Sequence, residues 1–182
     1  MDKYRITVRE IHKSDISPIL DYWYSSSPEY LEGMGADPEK LPARVDFEKG
    51  LHQQLKLAYN EKPAYVIVWL FNQKPIGHAH INKINYGIDA FMHLHLWDVG
   101  KRRKGIGTAY LKLTIPYFFN NFNIQTLFCE PYSLNPAPNK TLPKVGFKFV
   151  KRYLTIPGSI NFKQEVCQYK MTRTQFERFF KK

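Results

Sequence analysis

Two groups of residues have types and spacings that could do chemistry. The first is Arg102-Arg103-Lys104-Gly105-Ile106-Gly107-Thr108, which Lys101 extends into four consecutive cations. It lies between an alternating apolar run over residues 91–97 and an apolar run over 109–119. That order predicts a strand, a tight basic glycine turn and a helix. Such a turn presents backbone N–H groups and the positive end of a helix dipole to an anion. Glycine lets the backbone come close to that anion, because no Cβ intervenes. The segment therefore reads as a seat for a pyrophosphate-bearing cofactor.

The second group is the alternation His78-x-His80 and His93-x-His95. Alternation places each pair on one face of a strand, and imidazole titrates near neutral pH, as a general base should. If the chain reverses near Tyr86-Gly87, His80 faces His93 and His78 faces His95. All four then share one sheet face. Such an array could gather a metal ion, or it could line a polar cavity and relay protons. The cavity wall is the reading adopted, and no metal is assigned. His95 and His93 are the leading candidates for a base, with Glu130 and Asp98, at predicted strand ends, behind them. The plainer role for any one of these histidines is a hydrogen-bonded structural residue.

The elements that must position these groups can be read along the chain. Residues 4–10 alternate as a first strand. Ser14 is placed to cap a helix through Ile16, Ile19, Leu20 and Trp23, which Ser25-Ser26-Ser27-Pro28 breaks. Residues 29–42 look irregular and acidic. Asp46 is placed to cap a helix carrying Phe47, Leu51, Leu55 and Ala58. Residues 64–71, 76–84 and 90–97 read as strands, the last two forming a hairpin. The glycine turn and its helix follow, with a kink expected at Pro116. Strand 124–129, a segment opened by Asn135, two further strands and a short helix over 175–180 complete the chain. The order β-α-α-β-β-β-α-β-α-β-β suits a mixed, mainly antiparallel sheet with helices on both faces.

Three phosphate-loop patterns compete for the turn. A dinucleotide fingerprint needs a third glycine where Tyr110 stands. A P-loop needs Lys and Ser/Thr where Ile106 and Gly107 stand. The pattern Q/R-x-x-G-x-G/A is met by Arg102, Gly105 and Gly107, and it resembles the acyl-CoA pyrophosphate loop of the GNAT N-acetyltransferases. Asn135 followed by Gly146-Phe147 at the spacing N-x10-G-F resembles that family's fourth helix and its closing turn. The two motifs span residues 91–147; beyond them the match is in element order.

The resemblance implies an α/β GNAT fold in one domain, 1–182, that uses acetyl-CoA as cosubstrate. It implies that backbone groups near Trp97 and Val99 meet the pantetheine arm. The N–H groups of Arg102, Arg103, Lys104, Gly105, Ile106, Gly107 and Thr108 would hold the pyrophosphate, and Asn135 would stand near the pantetheine. The family's fourth and fifth strands splay, so an N–H in the stretch 94–96 would meet the thioester oxygen. Many members carry a tyrosine general acid five positions before the Phe of Gly-Phe; here that position is Leu142. Tyr132 or solvent would have to take its place, or the chain is a CoA-binding module without catalysis. On the acceptor side, Glu29, Glu32, Asp37 and Glu39 stand among Tyr22, Trp23, Tyr24 and Tyr30. Carboxylates beside aromatics suit a cationic amine, but a solvated loop with a few core aromatics is the preferred reading.

Composition sets the remaining limits. At 182 residues with 13 Phe, 12 Tyr and 3 Trp, the chain is long enough for a proper core. No apolar run approaches the ~20 residues of a membrane span, so no membrane partner is expected, and a charged start without a signal-peptide core points to the cytoplasm. Cys129 and Cys167 sit in apolar runs and are expected as buried free thiols. The net charge of +11 suits polyanions such as coenzyme A. RNA or ribosome association is the competing use of that charge; outside 101–104 the cations are dispersed, so nucleic acid is not the expected partner. Homodimerisation is left open.

Overall fold

A computed structural model describes residues 4–98, 100 and 105–180. Seven strands form one sheet in the order β1-β2-β3-β4-β5-β7-β6. They are β1 (Ile6–Glu10), β2 (Ala64–Phe71), β3 (Lys74–Asn85), β4 (Asp89–Leu96), β5 (Thr126–Cys129), β6 (Lys148–Thr155) and β7 (Gln164–Thr172). Only β4 and β5 pair in parallel; all other neighbours are antiparallel. The helices are α1 (Ile16–Tyr24), α2 (Pro28–Gly33), α3 (Arg44–Lys56), α4 (Ile106–Phe122), α5 (Pro136–Thr141) and α6 (Arg173–Phe180). The mixed, mainly antiparallel sheet with helices on both faces is the architecture the sequence predicts.

Each face has its own reason to form. In α1 the residues Ile16, Ile19, Leu20 and Trp23 recur at helical spacing and are buried together against Val66 and Val68. Leu31 of α2 and Leu51 of α3 join that cluster. On the other face α4 buries Tyr110, Leu111, Ile115, Phe118, Phe119 and Phe122. Trp69 stacks on Tyr110 at 5.1 Å, and its indole N–H reaches Thr114 Oγ1 at 3.0 Å. The hydroxyl of Tyr110 donates to Leu70 O at 2.8 Å, so these buried polar atoms are satisfied. Phe119 and Phe176 stack at 4.4 Å and fasten α6 to α4.

Several local expectations are revised. The first helix starts after a 3-10 turn over Lys13–Asp15, and Asp15 is its N-cap in place of Ser14. Asp15 instead holds Arg9 in two hydrogen bonds of 2.5 and 2.9 Å. α3 begins at Arg44, so Asp46 lies in its first turn rather than capping it. The stretch read as irregular contains α2, with Pro28 at its first position and Ser27 Oγ accepting from Tyr30 N. α4 runs unbroken through Pro116. Proline removes one N–H from this helix without ending it, and apolar residues on both sides of Pro116 stay buried.

The hairpin turn falls where the sequence puts it, with Gly87 at φ 78°. The register follows: His80 pairs with His93 and His78 with His95. β4 and β5 pair only over Asp89–Phe91 and Thr126–Phe128. β4 then continues to Leu96, while the chain after β5 turns to β7, where Cys167 N reaches Pro131 O at 3.0 Å. The two strands thus part, as the resemblance implies.

Candidate active site

The four histidines project from β3 and β4 towards α1, α2 and α3. Their rings lie close together, with centroids 4.8 Å apart for His78–His95, 4.7 Å for His80–His93, 5.7 Å for His78–His80 and 5.6 Å for the diagonal His80–His95. They form the floor of a cavity of about 330 Å³. Trp23 of α1, Met34 beside α2, and Phe47 and Leu51 of α3 supply apolar walls. Ser159, Ile160 and Asn161 of the β6–β7 loop close another side. That loop is clasped to the segment after α2: Asp37 N meets Ile160 O at 2.8 Å, and Asn161 Nδ2 meets Gly35 O at 2.7 Å.

Hydrogen-bond partners decide what each imidazole can do. Trp97 donates its indole N–H to His78 Nδ1 at 2.9 Å. Tryptophan can only donate, so neutral His78 carries its proton on Nε2. His93 Nε2 lies 3.1 Å from Asn82 Oδ1, which makes it the donor there. His95 Nδ1 lies 3.2 Å from Tyr22 Oη, which also touches Tyr30 Oη at 3.1 Å and Met34 Sδ at 3.1 Å. One arrangement satisfies all three contacts. Tyr22 gives its single proton to the thioether, which can only accept, and accepts from Tyr30 O–H and His95 Nδ1–H. His95 Nε2 is then a lone pair, and it is buried with no hydrogen-bond partner among the described residues.

Burial lowers the pKa of every member of the group, and neighbouring positive charge lowers it further. His78, His80 and His95 fall well below the usual histidine value, first by desolvation and then by the charge of neighbouring histidines, His93 among them in each case. His93 is lowered to about 4, by burial and then by Lys83. The quartet is therefore neutral at physiological pH. Ring nitrogens of His78, His80 and His95 lie within 4.8 Å of one another, close enough to suggest a metal. A tetrahedral zinc site would bring them to about 3.3 Å. It would also need the His78 lone pair that already accepts from Trp97, and in this arrangement His78 does not serve as a ligand.

Glu130 is not brought to this group. Its Oε1 accepts from Tyr153 Oη at 2.5 Å and from Gln168 Nε2 at 2.6 Å, on the β5-β7-β6 side of the sheet. The same carboxylate, after burial, raises the Tyr153 pKa to about 12. Asp98 caps a turn, accepting from Gly100 N at 2.8 Å. Leu142 is wholly buried in the core on the α4 face, so its position supplies no acid. Tyr132 packs its ring on Phe162 at 5.7 Å. Both cysteines are free and buried, as expected. The acceptor-side carboxylates are solvated, as the preferred reading has it: Glu29, Glu32 and Glu39 are exposed, and Asp37 caps a turn through Glu39 N at 3.1 Å. Tyr22 as the partner of His95 was not read from the sequence, since 73 residues separate them.

The anion seat is partly described. Val99, Arg102, Arg103 and Lys104 lie outside the described residues. Gly105 stands at φ 72° as the N-cap of α4, with no side chain capping the first turn. Among the described residues, none lies within 4 Å of a Cβ added at Gly107. Backbone N–H groups at the start of a helix, here those of Ile106 and Gly107, fit a pyrophosphate. Trp97 N–H bonds Ile76 O at 2.8 Å. By the alternation of an antiparallel ladder, Leu94 turns its N–H away from β3 into the gap beside β5. Asn135 caps α5 through Ala137 N at 3.3 Å.

These features match a known family over most of the chain: residues 5–148 fit the family described as Acetyltransferase (GNAT) domain. The chain belongs to the GNAT acetyltransferase family. Its reaction class is accordingly acetyl transfer. The fold is also similar to that of spermidine N-acetyltransferase from Vibrio cholerae in complex with CoA and spermine, at TM-score 0.76 and 15% identity, covering 94% of this chain and 97% of that one. RimL, a ribosomal L7/L12 alpha-N-protein acetyltransferase in complex with coenzyme A, aligns at TM-score 0.74 and 14% identity over 92% and 93%. Aminoglycoside acetyltransferase AAC(6')-Ib with coenzyme A and kanamycin aligns at 0.72 and 17% over 96% and 98%. No helix among the described residues is long and apolar enough to cross a membrane.

Proposed function

We propose that residues 1–182 form a single GNAT domain that moves an acetyl group from acetyl-CoA directly to a primary amine bound in the histidine-floored cavity, with His95 as the base. The observation that carries this reading is His95 at the cavity floor, its Nε2 buried with no hydrogen-bond partner among the described residues. A buried polar atom left without a partner costs about 1–3 kcal/mol. An N–H brought by a ligand relieves that cost.

The roles divide by element. The start of α4, with Arg102, Arg103, Lys104, Gly105, Ile106, Gly107 and Thr108, holds the pyrophosphate. The Leu94 N–H faces the developing negative charge on the acyl oxygen. Trp97, Val99 and Asn135 border the arm that leads there. Acetyl-CoA supplies the activated acyl carbon. Tyr22 holds the His95 ring through Nδ1, which keeps Nε2 unprotonated for the amine. His95 Nε2 takes the proton that the acceptor nitrogen sheds as it acylates. A base of lowered pKa suffices, because burial in the same cavity lowers the pKa of an amine as well. Neither thiol is exposed, so transfer runs without an acyl-cysteine. Two buried free thiols suit a reducing compartment such as the cytoplasm.

Leu142 favours a second reading, a module that binds acetyl-CoA without turnover. Calorimetric titration with acetyl-CoA followed by thiol release on a panel of amines separates the two. Binding with release supports the enzyme; binding without release on any amine or peptide supports the module. Gly107→Glu puts a side chain and a negative charge into the phosphate seat. Its expected result is loss of acetyl-CoA binding with an unchanged circular dichroism spectrum, and unchanged affinity would sink the loop assignment.

A further inference from the structure

We infer that the acceptor is a small monoamine with an apolar body, and that the pocket rejects amines carrying a second cationic group. This rests on the enzyme reading above and specifies its substrate class.

The first observation is what the cavity lacks. Among the described residues that line it there is no aspartate, glutamate, lysine or arginine. Its polar atoms are the imidazoles and the neutral side chains of Gln54, Asn82, Ser159 and Asn161. The rest is apolar or aromatic, led by Ile19, Trp23, Met34, Phe47 and Leu51. An acceptor with several ammonium groups would bury every one beyond the reacting nitrogen without a counter-charge. That cost is large for an unpaired ion.

Nearby carboxylates do not make up the deficit. Asp21 holds Arg44 at 2.6 Å, Asp15 holds Arg9 at 2.5 Å, and Asp37 lies 3.3 Å from Lys40 Nζ. Glu29, Glu32 and Glu39 face solvent. A positive charge acts on the floor: Lys83, fixed by Pro157 O at 2.6 Å, lowers the pKa of His93. A net charge of +11 adds long-range repulsion of polycations.

The third observation concerns hydrogen bonds. The tautomers fixed by Trp97 and Tyr22 leave His95 Nε2 as the acceptor for one N–H, while His78 and His93 are held as donors on Nε2. His95 thus offers an acceptor to an amino group at the floor, and the walls receive hydrocarbon. A volume of about 330 Å³ is at the lower end for small-molecule pockets, as a small acceptor would need.

The test uses a matched pair, pentylamine and 1,5-diaminopentane, which differ by one terminal ammonium. Full-length protein at saturating acetyl-CoA is assayed for thiol release, and acetyl-CoA affinity is measured separately by calorimetry. The expected kcat/KM is at least tenfold higher for pentylamine. Gln54→Glu, a nearly isosteric change on the cavity wall, should narrow or reverse that ratio with acetyl-CoA affinity unchanged. Equal or better turnover of the diamine by the unaltered protein overturns the inference and leaves the acetyltransferase reading standing. So does turnover confined to spermine or to a peptide N-terminus. Absence of acetyl-CoA binding overturns the enzyme reading and the inference with it.

Discussion

The two faces of β3 and β4 are built from the same strands at the same period, yet they do opposite things. Ala79, Ile81 and Met92 point to α4 and have no measurable exposure in a packed apolar core. The residues between them, His78, His80, His93 and His95, point to α1–α3 and floor a hollow. One face is filled by the aromatic side of α4; the other is roofed by three shorter helices and a loop that stop short of the sheet. The contrast teaches where this fold can carry chemistry. A position in a filled layer contributes through packing, and a position one residue away contributes through its lone pair.

Substitutions on the two faces should therefore fail differently. The largest effect is expected at His95→Gln, which removes the base but keeps a polar side chain. It should lower kcat by about 10²-fold or more, with unfolding free energy within about 1 kcal/mol of the parent. Stopped thiol release and denaturant melts read the two numbers; equal losses in both would erase the distinction between the faces. Met92→Ala, three residues earlier on the same strand and on the packed side, should cost about 2–5 kcal/mol of stability. The kcat of the protein that remains folded should stay near the parent value.

A smaller effect comes from acid. Unfolded histidines take up protons below about pH 6.5, whereas His93 stays neutral down to about 4 and the other three also lie well below the usual value. Between those limits the unfolded state binds more protons, so stability rises with pH and is lost as pH falls through the window. Each histidine contributes at most about 1.4 kcal/mol per pH unit, and less for those partly open to the cavity. Thermal melts from pH 7.5 to 4.5 should show the loss, and replacing His80 and His93 by Gln should flatten it. The smallest effect is expected at Tyr22→Phe. Losing one positioning hydrogen bond should cost about tenfold or less in kcat, and should move the acidic limb of the pH–rate profile. A merely structural hydroxyl would leave that limb in place.

Much of this was legible in the chain because it is local or periodic. The alternation of residues 76–84 and 90–97 and the turn at Gly87 were enough to pair His80 with His93 and His78 with His95, which the ladder reproduces. The glycines at 105 and 107 mark the start of α4, and N-x10-G-F marks α5 and the left-handed Gly146 at φ 95° that ends the turn after it. Strand period, turn chemistry and helix caps act over a few residues, so a sequence carries them directly.

Tertiary structure alone decided which side chains meet. Glu130 is drawn to Tyr153 and Gln168 because β5 leaves β4 and follows β7. The acids of residues 29–39 turn outwards because Leu31 and Ala36 take the inward positions. Tyr22 reaches His95 across 73 residues of sequence, and that contact, with the thioether of Met34, sets which imidazole nitrogen is basic. Such choices depend on how helices settle over a sheet once loops of many residues have closed. No local pattern encodes that, because each contact is selected by the burial of everything around it.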